Sequence, residues 1–335
     1  MAFRTLVAFA VALAWAAPAS SQEGPPEGLT GTVVVVNKQG NDASFIDLAT
    51  GRIVATAPTG EGPHELVVSP DGGTAVATDY AGGNSLTVFD IASGRRVRTI
   101  DLAAHPRPHG ISFMPGGEVV AVTSEASQSV VLVRVSDGEI VADISTDAQG
   151  SHMLAVTADG SRIWTGDIGS NTVSELDVDA GTKVRAFDAP AAPEAVNVTP
   201  DGGRVFAGSN DTGRVTAFDT SDGSATLLAD GFAWPYRIFL TPGVEQIIIP
   251  DLGHETLRFF DGETYEELGR IDFPGEAPQG LILHPDGRHL FQSLSGAGRI
   301  AVVDIRSREV VGYLPAGSGP DGIGYSRVTV GGTSP

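Results

Sequence analysis

Apolar residues come in short bursts along this chain. From Gly31 onward, runs of five to seven residues such as GTVVVVN, HELVVS and TAVATD alternate with clusters of Gly, Asp, Asn and Ser, and no stretch sustains a helical period. Runs of this length, rich in Val, Ile and Thr and closed by turn residues, predict strands throughout and an all-β chain. The stretch GPHELVVSPDG (62–72) sets the unit. Its apolar run opens on Pro63 and stops at Pro70-Asp71-Gly72, where Pro presets φ for a tight turn and Gly supplies φ > 0.

The unit recurs as RPHGISFMPGG (107–117), GSHMLAVTADG (150–160), APEAVNVTPDG (192–202), WPYRIFLTPG (234–243), APQGLILHPDG (277–287) and the shorter GPDGIGYS (319–326). The turn marker falls at Asp71, Gly116, Asp159, Asp201, Gly243 and Asp286, a spacing of 42 to 45 residues. A second marker, the acid that closes the third strand, falls at Asp47, Asp90, Asp177, Asp219, Asp261 and Asp304, with Arg134 in its place once, a spacing of 42 to 44 residues. Two independent markers agree on seven units, and a period of this size is the signature of a propeller.

Each unit resolves into four antiparallel strands, as in His64–Ser69 (A), Thr74–Asp79 (B), Ser85–Ile91 (C) and Arg95–Leu102 (D). The N-terminal strands GTVVVVN, ASFIDL and RIVATA are a B, C and D without an A, and the C-terminal GPDGIGYSRV is an A alone. Joined, they complete the seventh sheet. The sequence therefore predicts a seven-bladed β-propeller of four-stranded blades, closed by its two ends.

The pattern P-x-x-[ILV]-x-[ILV]-[ST]-P-D-G, an apolar B strand, and a C strand ending V-x-D-x-x-[ST]-G resembles the YVTN family of seven-bladed propellers, which is similar to WD40-like and quinoprotein amine dehydrogenase-like propellers. It covers Gly31 to Val330, although the tetrapeptide that names the family is absent from the B strands. The resemblance implies that strand A is innermost, so that its first residues and the end of strand B share one mouth of the central channel. Propellers of this kind serve as enzymes, electron-transfer partners and scaffolds, so fold does not decide function.

The ends of the chain change the picture of where it works. Arg4, the apolar run Leu6 to Ala17 and the small-x-small Ala17-Pro18-Ala19 read as a secretory signal peptide over 1–19, too short to remain as a membrane anchor. A polar Pro/Gly leader over 20–30 reads as a flexible linker, the propeller as 31–330 and a tail as 331–335. A periplasmic or secreted protein is expected. The absence of Cys removes disulfides, thiolate chemistry and c-type heme. The net charge of -20, which loss of Arg4 takes to -21, argues against nucleic acid and anionic membranes and for cations, basic partners or simply solubility, and a monomer is expected. No G-x-S-x-G elbow, no P-loop and no G-x-G-x-x-G opening a helix is present.

Positions that differ between blades at the mouth are free to serve function. After the Pro that opens strand A, they hold His64, His109, His152, Glu194, Tyr236, Gln279 and Asp321. The end of strand B reads Asp79, Glu125, Asp167, Asn210, Asp251, Ser293 and Asn37. The three histidine blades are thus also carboxylate blades, and imidazole with carboxylate is the ligand chemistry of a divalent transition metal, with Cu or Zn foremost. Two readings stand. His64, His109 and His152 with Asp79, Glu125 and Asp167 hold a metal or polar ligand, or each His bonds the acid of its own blade, as the likeness to WD40 propellers implies. Trp234, Tyr236 and Arg237, with Arg107 and Gln279, offer an aromatic and cationic rim for a small molecule or protein partner. The expected function is an exported binding or scaffold protein working through this mouth. The alternative is a metal-dependent enzyme, a copper-type oxidoreductase or a lactone hydrolase, with Glu194 or Asp251 as general base.

Overall fold

A computed structural model describes residues 24–332, so the expected signal peptide lies outside the described residues. Seven four-stranded antiparallel sheets follow one another around a central axis. Blade one comprises strand A Pro63–Val68, B Thr74–Asp79, C Ser85–Asp90 and D Arg95–Asp101. The pattern repeats through blade six, which starts at Pro278 and ends at Pro315. Blade seven joins the C-terminal strand Pro320–Ser326 to the N-terminal strand Thr32–Asn37, in the register Thr32↔Ser326 to Val35↔Ile323. The ring closes as the repeats require.

The core is divided as the blades are. Seven apolar clusters occupy the seven gaps between neighbouring sheets: Phe45, Ala75 and Phe89 between blades seven and one, and Val76, Val122 and Val131 between blades one and two. Alternate residues of each central strand face opposite gaps, so strand B of blade one sends Ala75 and Ala77 one way and Val76 the other. Both faces of every central strand are buried, which is why these runs are continuously apolar.

Two irregularities matter below. Every pairing of strand C with strand D carries a register shift. In blade five, Pro250 withholds an N–H from the ladder, and strand A is reduced to Phe239–Leu240 with an isolated bridge Pro235↔Asp251. Of the leader expected to be a flexible linker, residues 24–30 are described and lie against the ring: Gly24 N–H bonds Tyr313 O at 3.1 Å, and Leu29 is buried beside blades six and seven.

Candidate functional site

The innermost A strands pass so close that some positions admit no side chain. A Cβ on Gly322 would sit 2.4 Å from His64 O, and one on Gly110 2.8 Å from His152 O. Thr78 and Thr123 donate to the carbonyls of His109 and His152 in the next blade, at 3.0 and 2.6 Å. Strand packing thus delivers His64, His109, His152, Glu194, Tyr236 and Asp321 to one end of the channel, all buried, with Gln279 half-buried.

The acids expected behind the histidines are employed elsewhere. Asp79 accepts from Gly60 N (3.0 Å), Ser85 Oγ (2.6 Å) and Thr87 Oγ1 (2.9 Å). Asp167 accepts from Ser151, Thr172 and Ser174 at 2.6 to 2.9 Å. Asp251 takes Trp234 N and His254 Nδ1, each at 2.8 Å. All three tie the end of strand B to neighbouring loops and strands. His64 and His152 therefore do not bond the acid of their own blade, and Asp251 is not free to act as a base. Burial raises the Asp79 carboxyl above its ordinary value, against the bonds from Ser85 and Thr87.

In blades two and four the last residue of strand B is Ser124 or Ser209, which pairs with the first residue of strand C as Asp79 and Asp167 do. Glu125 and Asn210 stand one residue further on. Side chains alternate along a strand, so that single step turns them from the loops toward the channel mouth. The same step in blades one and seven brings Tyr80 and Lys38, which the sequence reading did not single out. Glu65, beside His64, was missed as well.

The resulting network runs between blades. His64 Nδ1 meets Asp321 Oδ2 of the preceding blade at 2.6 Å, and Lys38 Nζ lies 3.5 Å from that same oxygen. Tyr236 donates to Asp321 Oδ1 at 2.9 Å. His152 bonds Glu125 through Nδ1 and faces Glu194 through Nε2 at 3.6 Å. Glu194 also accepts from Asn210 and, at 3.1 Å, from Trp234 Nε1. Arg237 lies over the Tyr236 ring, its Cζ 4.0 Å from the centroid, and pairs with Glu65 across the channel. On the rim, Arg107 binds Glu125 (Nε to Oε2, 2.7 Å) and covers Tyr80. Arg107 takes φ +59, the left-handed value adopted by Gly62 and Gly150 before the opening residue of their A strands.

His109 is the exception. It is fully buried, edge-on to His64 (4.3 Å between centroids) and stacked on His152 (3.4 Å), yet neither ring nitrogen has a hydrogen-bond partner among the described residues. One ligand atom each from His64, Glu65 and His109 lie within 4.8 Å of one another. Burial, reinforced by His152 and His64, holds the His109 imidazole well below 6.5, so it is neutral. Burial works the same way on His152, but Glu125 and Glu194 outweigh it and raise this imidazole above 6.5. Asp321 and Glu194 are each held at about 2 against burial, Asp321 chiefly by His64 and Lys38, Glu194 chiefly by His152 and Arg237. A carboxylate so weakly basic makes Glu194 a poor general base at neutral pH.

A closed ring of seven four-stranded blades with a polar, non-repeating mouth defines the molecule as a seven-bladed β-propeller. In keeping with the likeness read from the repeats, residues 27–115 match the model of the family described as YNCE-like beta-propeller. Among curated proteins, no sequence matches the chain. Of solved structures, Kuenenia stuttgartiensis hydrazine synthase is similar at TM-score 0.72 and 19% identity, over 84% of this chain and 94% of that one. A functionally unknown protein from Desulfotomaculum acetoxidans DSM 771 is similar at TM-score 0.75 and 16% identity, over 89% and 99%. At these identities the likeness speaks of fold alone.

Proposed function

We propose that this is an exported binding protein whose working surface is the channel mouth, accessible to a small molecule or a protein partner. One observation carries the reading. After three histidines the equivalent A-strand positions diverge, and His64, His152, Glu194, Tyr236 and Asp321 join partners in other blades in one buried network, while the turns at the other end repeat. A ring held together by repeated residues does not require such a network. Trp234, 39% exposed at the rim, and Arg107 present the aromatic face and the guanidinium that an incoming partner meets first.

A screen of ligand-induced rises in melting temperature, over divalent cations and small anionic and aromatic compounds, tests this. The rises should shrink in Trp234→Ala and Arg107→Ala and persist in Asp286→Asn at the opposite face. Rises indifferent to the rim variants would refute it. The N-terminal residue of protein recovered from the periplasm tests export, with cleavage after Ala19 expected. The second reading, a metal-dependent enzyme of the oxidoreductase or lactone hydrolase kind, is favoured by the unpartnered His109.

A further inference from the structure

We infer that His64, Glu65 and His109 form a three-ligand centre for one divalent transition metal, an assignment that rests on the mouth as the working site and specifies what it holds. Two orphaned nitrogens on a fully buried imidazole have lost their water and gained no hydrogen bond in return among the described residues. A neutral imidazole with a free lone pair is the state a metal requires.

The surroundings complete the case. His64 is fixed through Nδ1 by the Asp321 carboxylate, the arrangement that orients a ligating imidazole and leaves Nε2 with the free lone pair. Asp321 is in turn held by Tyr236 and Lys38. Glu65 gives Oε1 to Arg237 and keeps Oε2. One potential ligand atom on each of the three residues lies within 4.8 Å of those on the other two, near enough for a single ion to draw the side chains in. His152 is not a ligand, because Glu125 occupies its Nδ1 and Glu194 faces its Nε2.

Two imidazoles and one carboxylate suit Zn(II) or Cu(II) rather than Mg(II) or Ca(II), and the lack of Cys removes the thiolate that would favour Cu(I). Three protein ligands leave one position for water or an anionic ligand, as in catalytic rather than structural zinc sites.

Titration calorimetry of the full chain with zinc chloride, copper(II) chloride and magnesium chloride tests the assignment, with melting curves to confirm folding. Wild type should bind one equivalent of Zn(II), bind Cu(II) more tightly, and ignore Mg(II). Glu65→Gln should weaken Zn(II) at least tenfold, and His109→Gln should abolish it. A His284→Ala/His289→Ala double variant at the opposite face should bind like wild type. The Cu(II) spectrum should show coupling to two nitrogens in wild type and to one in His109→Gln. No Zn(II) or Cu(II) uptake by wild type would overturn the centre, as would Zn(II) uptake that survives His109→Gln, a Cu(II) spectrum unchanged in that variant, or uptake that disappears in the double variant. Failed uptake alongside rim-dependent ligand shifts would remove the metal and leave the mouth. Normal uptake with no rim dependence would do the reverse.

Discussion

Arg237 and Glu65 stand on blades across the channel from one another, and their ion pair spans it. Arg237 also lies 3.6 Å from Glu194, and its charged form is strongly favoured, burial opposing and Glu65 overcoming. Removing one partner of such a pair strands a buried charge, which costs about 3–5 kcal/mol, whereas replacing both with apolar residues costs far less. Arg237→Ala should therefore destabilise by about 3–5 kcal/mol in urea, and Arg237→Met with Glu65→Leu by much less. A single variant as stable as wild type would show that the span is incidental.

Stability should fall steeply in acid. Asp321 and Glu194 have folded values of about 2 against ordinary values of 3.8 and 4.5. A depressed carboxyl contributes stability above its unfolded value, and the contribution is lost as pH falls toward the folded value. Each should lose about 2 kcal/mol or more between about pH 4.5 and pH 2. Glu194→Gln should flatten the profile of melting temperature in that window. An unchanged slope would place the acid sensitivity elsewhere.

The buried Asp79 should matter for stability and not for the metal. It satisfies Gly60, Ser85 and Thr87 at once, so Asp79→Ala leaves several partners unmet, at about 1–3 kcal/mol each before relaxation. Zn(II) affinity of the folded variant should be that of wild type. A tenfold loss of affinity at unchanged stability would restore Asp79 to the ligand set.

Strand Pro320–Ser326 should be indispensable. Deleting residues 319–330 removes the partner of Thr32–Asn37 and uncovers Val33 and Val35, both fully buried in wild type. The cooperative melt should be lost. A truncated chain melting like the full one would mean that the seventh blade stabilises nothing.

The fold was legible because seven repeats average out local ambiguity: each Pro-Asp-Gly turn and each strand-C acid is a separate reading of one period. At the mouth, strand A was the legible part, giving His64, His109, His152, Glu194, Tyr236 and Asp321 at one repeated position, whereas strand B was misaligned. Strand B ends at Ser124 in blade two, and taking Glu125 as its last residue exchanges a loop-facing position for a channel-facing one. Counting five residues back from the first residue of strand C would have found Ser124, Asp167 and Ser209 as equivalents, with one extra residue in blade one. The contacts from His64 to Asp321 and from Arg237 to Glu65 join residues far apart in sequence, and no local pattern announces them.

The register shifts on the outer strands also explain an oddity of the perimeter. In blades seven, one, two and three the residue skipped by the ladder is Val54, Val97, Val141 or Val184, and these are among the large apolar side chains most open to solvent. A wheel with seven free β-edges is a template for sheet-to-sheet polymerisation. The bulges break the straight run of donors and acceptors that a second wheel would need. Two wheels meeting rim to rim are thereby kept from zipping into fibres, at the expense of four valines left in water.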